Sequence, residues 1–70
     1  MIEDTRLKVI IGFIKEFADE LLEEYKQSPD KVISGELMGY ASALKIIKDE
    51  IDEDQWDKYG LNFDIDKKYM

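Results

Sequence analysis

The chain has neither cysteine nor histidine among its 70 residues. Disulfide bonds and thiolate metal sites are therefore excluded, and the commonest general base and metal ligand is absent. No apolar run approaches the roughly 20 residues that span a bilayer, and the polar stretch 1–8, with two acidic and two basic residues, is unlike a signal peptide. The absence of cysteine also fits a reducing compartment. We therefore expect a cytoplasmic protein without membrane contact.

Charge and size set further limits. Ten basic and 17 acidic residues give a net charge of −7, which opposes direct binding to the phosphates of nucleic acids. Residues 1–48 carry nine acids and seven bases, whereas residues 49–70 carry eight acids and three bases. We expect one domain over residues 1–70, with marginal stability unless something enlarges its core, because short chains bury a small fraction of their surface.

Two stretches carry apolar residues at alternating steps of three and four, the spacing that lines one face of an α-helix. They predict helices over about residues 5–27 and 29–51. Ser28-Pro29 ends the first helix and begins the second, with Ser28 as N-cap, and so short a turn predicts an antiparallel hairpin. The facing seams are Leu7, Ile11, Ile14, Ala18, Leu21 and Tyr25 in the first helix and Ile33, Leu37, Tyr40, Leu44, Ile47 and Ile51 in the second.

The C-terminal third follows a different pattern. Residues 54–59 predict one short helical turn that Gly60 ends. Leu61, Phe63 and Ile65 then alternate with polar residues, which predicts an extended tail over residues 61–70 with one side buried. The predicted fold is all-α: an antiparallel hairpin, a short third helical turn and an extended tail.

The seams do not use all the apolar surface of the hairpin. The apolar arc of the first helix covers about 180°, where one neighbouring helix needs little more than 100°. The tail, a second copy of the chain or another protein could cover the excess. We expect a homodimer that forms a four-helix bundle, while a monomer completed by its tail is the alternative. The expected interface is Ile10, Phe13, Phe17, Val32, Glu36, Gly39, Ala43 and Ile46.

The stretch 49–57 contains six carboxylates and no basic residue, close to two aromatic rings. An EF-hand is excluded because the turn glycine and the spacing of its ligands are missing, and we expect no metal or cofactor. Carboxylates beside aromatic anchors are typical of surfaces that bind basic grooves on other proteins. The expected partner patch is Asp49, Glu50, Asp52, Glu53, Asp54, Trp56, Asp57 and Tyr59.

The sequence contains no catalytic triad, no carboxylate pair across a recognisable cleft and no phosphate-binding glycine loop, so we expect no enzyme. The leading hypothesis is a homodimeric protein-interaction module that binds an unidentified protein partner through its acidic-aromatic C-terminal third. The alternative is an acidic inhibitor, or an antitoxin-like protein, that mimics nucleic acid and blocks a basic DNA-binding protein.

Residues 35–48 and 60–66 together resemble small uncharacterised acidic helical proteins carried by phages and mobile elements of Gram-positive bacteria. The two stretches lie within residues 35–66, about half of the chain, and the resemblance assigns no activity to any residue. It implies a context in which small acidic proteins bind and inhibit host or rival proteins.

Overall fold

The computed structural model describes residues 3–69 and contains four helical elements. They are α1 (Asp4–Gln27), α2 (Lys31–Asp49), a single 3₁₀ turn (Glu53–Gln55) and a short α3 (Ile65–Tyr69). None of residues 3–69 forms a β-strand. The prediction of an all-helical chain with two long helices packed as a hairpin is confirmed. Within the same residues, neither long helix has the length and apolar character needed to cross a membrane.

The core of the hairpin lies along the predicted seams. Ile11 and Ala18 of α1 and Leu37 and Leu44 of α2 are buried, and most of the other seam residues are partly buried against them. Full burial of one leucine or isoleucine side chain contributes about 1.5–3 kcal/mol. The spacing of three and four therefore identified the side of each helix that the other one covers.

The second helix is shorter than the predicted range 29–51. Ser28 donates its backbone N–H to the carbonyl oxygen of Glu24 and so belongs to the end of α1. The N-cap of α2 is Asp30, whose Oδ1 accepts the backbone N–H of Val32 at 2.7 Å. Because this carboxylate satisfies one of the free amides of the first turn, the helix begins at Lys31 and not at Pro29.

The predicted short turn is present, and glycine ends it. A 3₁₀ turn over Glu53–Gln55 continues as turns up to Gly60, whose φ of +70° lies in the left-handed region that favours glycine. A side chain at Gly60 would also meet the ammonium group of Lys15, since an added Cβ would lie 2.9 Å from Nζ.

The prediction of an extended tail over residues 61–70 is wrong for its second half, which forms α3. Asp64 begins this helix by accepting the backbone N–H of Lys67 at 3.0 Å. Leu61, Ile65 and Tyr69 are buried, and their spacing of four places them along one side of the segment. The alternation of apolar and polar residues was misleading because Leu61 and Ile65 satisfy both a period of two and a spacing of four. Met70 lies outside the described residues.

We expect Leu61→Ala to lower the free energy of unfolding by about 2–5 kcal/mol, because Leu61 is completely buried and the substitution leaves a cavity. The measurement is urea unfolding followed by circular dichroism. Met38→Ala is the matched control, since this side chain is 54% exposed on α2. Equal stabilities of the two variants would show that residues 58–69, which we call the C-terminal segment, are not part of the core.

Candidate functional site

One broad side of the hairpin remains exposed and apolar, and we call it the apolar face. It consists of the eight residues predicted as an interface together with Tyr40. Its large side chains remain open to solvent: Ile10 is 41% exposed, Phe13 56%, Phe17 50%, Val32 68% and Ile46 66%. Soluble monomers carry single exposed apolar residues, but a contiguous apolar patch across two helices is typical of an interaction surface.

A ring stack joins the two helices across the apolar face. The rings of Phe17 on α1 and Tyr40 on α2 have their centroids 6.1 Å apart at an interplanar angle of 24°. Beside this stack, Glu36, Gly39, Tyr40 and Ala43 line a shallow depression on α2. The face therefore has two strips, with large side chains along α1 and small residues at the centre of the α2 strip.

Glu36 is the charged member of the predicted interface, and it lies exposed at one edge of the depression. Within residues 3–69 its carboxylate forms no ion pair. The carboxylate of Glu36 is therefore solvated in the single chain. A partner bound to this face would have to leave the carboxylate in contact with water or supply a cation to pair with it.

Two glycines of α2 have open space around them. Among residues 3–69, no atom outside the neighbouring backbone of α2 lies within 4 Å of a Cβ built on Gly35 or Gly39. Glycine inside a helix costs about 1 kcal/mol relative to alanine. In the described part of the chain, no close contact at either position requires a glycine.

The C-terminal segment covers the side of the hairpin opposite the apolar face. Lys15 Nζ donates to the carbonyl oxygen of Gly60 at 2.7 Å, and Lys48 Nζ donates to that of Phe63 at 2.6 Å. Lys15 is two residues before Phe17, and Lys48 is two residues after Ile46. Because two residues rotate about 200° around a helix, these lysines point away from the apolar face. The C-terminal segment therefore does not cover the apolar face.

Two carboxylates of α1 hold the ends of the C-terminal segment. Asp4 accepts hydrogen bonds from Lys58 Nζ and the Tyr59 hydroxyl, both at 2.8 Å. Asp19 accepts one from the Tyr69 hydroxyl at 2.6 Å and lies 3.2 Å from Lys68 Nζ.

These contacts shift the pKa values of both carboxylates and of Tyr69. The hydrogen bond from Lys58, followed by that from Tyr59, lowers the pKa of Asp4. Partial burial pushes the pKa of Asp19 upwards, but the hydrogen bonds from Tyr69 and Lys68 outweigh it, so that this pKa is also lowered. Burial and the carboxylate of Asp19 raise the pKa of Tyr69.

The aromatic members of the predicted acidic-aromatic patch are engaged within the chain. Trp56 is half-buried and donates its indole N–H to the carbonyl oxygens of Lys48 and Ile51, at 3.2 and 3.1 Å. The ammonium group of Lys48 lies 4.3 Å from the centre of the Trp56 ring. Tyr59 is half-buried and held by Asp4. The structure therefore does not present either ring as a free anchor for a partner.

The acidic members of the patch, in contrast, all face solvent. We call these six exposed carboxylates the acidic segment. Asp57 accepts a hydrogen bond from the side-chain amide of Asn62 at 2.8 Å. Within residues 3–69, no group of three or more carboxylates lies close enough together to hold a metal ion. The segment is Asp49, Glu50, Asp52, Glu53, Asp54 and Asp57.

Sequence reasoning missed the lysine contacts that attach the C-terminal segment. Lys15, Lys45 and Lys48 belong to the hairpin, and Lys45 pairs with Asp66 at 3.0 Å. Lys15 and Gly60 are 45 residues apart, and no local pattern connects such distant positions. The available signal was the position of these lysines around each helix. They lie on one side of the seam, and the excess apolar residues lie on the other side.

Comparison with known proteins adds no relative. No protein-family model, curated protein or solved structure matches the chain. The resemblance to small phage-borne proteins therefore stays a prediction.

We expect the stability contributed by Asp4 and Asp19 to be lost at acid pH. The pKa values of both groups are lowered from the ordinary value of 3.8, so the folded state favours the ionised form. Their contribution is present above pH 3.8 and disappears as the pH falls below it. The double variant Asp4→Asn/Asp19→Asn should melt below the native protein at pH 7, and the difference should shrink towards pH 2.5.

The measurement is thermal unfolding by circular dichroism at a series of pH values. Asp54→Asn is the control, because the carboxylate that it removes is exposed. A difference in Tm that stays constant from pH 7 to pH 2.5 would contradict the assigned role of the two carboxylates.

Proposed function

We propose that the protein is a non-enzymatic, cytoplasmic protein-interaction module that forms a homodimer through the apolar face. One observation carries the proposal: five large apolar side chains are 41–68% exposed on one side of the hairpin while the C-terminal segment occupies the other side. Burying these side chains against a second hairpin makes a four-helix bundle, which enlarges the core of a chain that is small for independent stability.

The position of the face agrees with this use. Its exposed apolar side chains extend from Ile10 to Phe17 on α1 and from Val32 to Ile46 on α2, so the face runs along both long helices. A stable interface buries roughly 800 Å² on each partner. A second copy would therefore have to lie along most of the length of the hairpin.

The acidic segment is the second surface of the module, and charge is the chemistry that it offers to a partner. Its carboxylates are exposed, whereas Trp56 and Tyr59 are turned towards the chain. A basic surface on another protein is the complementary partner, and attraction between opposite charges increases the association rate. The resemblance to phage-borne proteins adds a context in which such a partner belongs to a host or a rival.

We expect Ala43→Glu to abolish the dimer, because it places a bulky carboxylate at the centre of the apolar face, where a dimer would bury it. The dissociation constant should rise about 100-fold or more. Light scattering after size exclusion at micromolar concentration should give a mass near 8.2 kDa, where the native protein gives about twice that value.

Gln27→Glu is the control for Ala43→Glu, because it adds the same charge at an exposed position at the end of α1. A native protein that is monomeric through the micromolar range would overturn the homodimer. An Ala43→Glu variant with the native mass would remove this face as the interface.

A second candidate function is an inhibitor that mimics nucleic acid. The observation that favours it is the exposure of six carboxylates without free aromatic anchors, which leaves long-range charge as the means of recognition. In this case the protein occupies the basic cleft of a DNA-binding protein.

We expect the acidic segment to bind a cationic probe, octalysine, with a strong dependence on salt. Replacing Asp52, Glu53, Asp54 and Asp57 by Asn or Gln should weaken binding at least tenfold at low salt, because these carboxylates supply the attraction. Isothermal titration at 50 and 300 mM salt measures the effect. Replacing the exposed Glu3, Glu16, Glu23 and Glu24 by Gln is the matched control, and an equal loss in both variants would show that net charge alone drives binding.

A further inference from the structure

We infer that the second copy of the chain lies on the apolar face about a two-fold axis parallel to the helices, so that α1 of each chain packs on α2 of the other. This inference rests on the proposed homodimer and adds its arrangement. Two such axes are possible when one face meets itself. The other axis, perpendicular to the helices, would place α1 on α1 and α2 on α2.

The Phe17–Tyr40 stack shows which residues lie at the same height along the hairpin. The two helices are antiparallel, so each step forward along α1 matches one step back along α2. Ile10 is therefore level with Ile46, and Phe13 is level with Ala43. Phe17 is level with the pair Gly39 and Tyr40.

The apolar face consequently has a ridge beside a trough. Phe13 and Phe17 project from α1, and at the same heights α2 carries Ala43 and Gly39, with open space above the glycine. The depression beside Tyr40 occupies the same place. Rotation about the parallel axis sets each ridge into the trough of the other chain, with facing large and small residues interdigitated.

The perpendicular axis gives poorer packing. It places Phe13 and Phe17 of one chain on the same ridge of the other, and it sets one trough above the other. Large residues would then hold the helices apart where Gly39 and Ala43 need close contact, and a gap would remain between the two copies of α2. The shape of the face therefore favours the parallel axis.

Charge at the two ends of the face can be compared in the same way. Arg6 lies seven residues before Phe13 on the same strip of α1, and its height matches that of Glu50 at the end of α2. The parallel axis brings Arg6 of each chain close to Glu50 of the other. Glu20 meets Glu36 at the opposite end, and this like-charge contact opposes association.

The contact between Glu20 and Glu36 distinguishes the two axes. With the parallel axis, Glu20→Lys replaces repulsion by attraction to Glu36 of the other chain, and the dimer should become about threefold to tenfold tighter. With the perpendicular axis, Glu20 lies near Arg6 of the other chain, so the same change should weaken the dimer.

Sedimentation equilibrium of the Glu20→Lys variant measures the dissociation constant. Glu23→Lys is the control for net charge: it makes the same change three residues further along α1, about 60° around the helix from Glu20 and further from the apolar face, where it breaks an exposed ion pair with Lys26. Tightening beyond that of the control supports the parallel axis. Weakening, or an effect equal to that of the control, overturns it.

A distance measurement tests the arrangement independently of charge. The chain contains no cysteine, so a nitroxide on Gln27→Cys labels the end of α1 alone. With the parallel axis the two labels lie at the same end of the bundle, about 15–30 Å apart, whereas the perpendicular axis separates them by about 40 Å.

Pulsed electron paramagnetic resonance on the labelled dimer measures this distance. A distance below about 30 Å supports the inferred arrangement, and one near 40 Å overturns it while leaving the homodimer intact. A labelled protein with the mass of one chain and no dipolar coupling overturns the homodimer itself.

Discussion

The packing of Leu61, Ile65 and Tyr69 against one side of the hairpin is the interaction on which the rest of the structure depends. Two helices alone share only a narrow seam, because each presents a single line of side chains to the other. The C-terminal segment adds a second layer to that seam and completes a small core. It has one set of buried residues and can cover one side only, so the opposite apolar side stays open.

The polar contacts of the C-terminal segment explain why it packs on the side of the hairpin opposite the apolar face. Lys15 and Lys48 donate to backbone carbonyl oxygens of the segment, and Asp4 and Asp19 accept from its tyrosines and lysines. The apolar face has few polar groups and cannot satisfy the backbone of an irregular segment in the same way. Its exposure is therefore a direct consequence of where the chain places its lysines.

The sequence was sufficient to predict the two long helices, the seams and the excess apolar arc, because local periodicity determines each of them. It was not sufficient to place the C-terminal segment, whose hydrogen bonds with α1 join residues 45 to 55 positions apart. Three apolar residues, Leu61, Phe63 and Ile65, were also too few to distinguish an extended strand from the start of a helix.

Trp56 shows a different limit of sequence reasoning. A tryptophan among carboxylates fits a partner-binding anchor, but the same ring can fold back on its own chain. Here two carbonyl oxygens, of Lys48 and Ile51, accept its N–H, and an ammonium group lies over its face. A half-buried indole needs such an acceptor, and the end of α2 supplies the carbonyl oxygen of Lys48, which also accepts the backbone N–H of Ile51 at 3.2 Å.

A dimer with its axis parallel to the helices would link the apolar face to the acidic segment. Each acidic segment follows the end of α2, so this axis brings both segments to the same end of the bundle. The twelve exposed carboxylates of the two acidic segments then lie at that end. Their mutual repulsion opposes dimerisation at low salt, and a basic partner bound at that end removes it. Binding of the partner and formation of the dimer would therefore strengthen each other, because a ligand that favours one state shifts the equilibrium towards it.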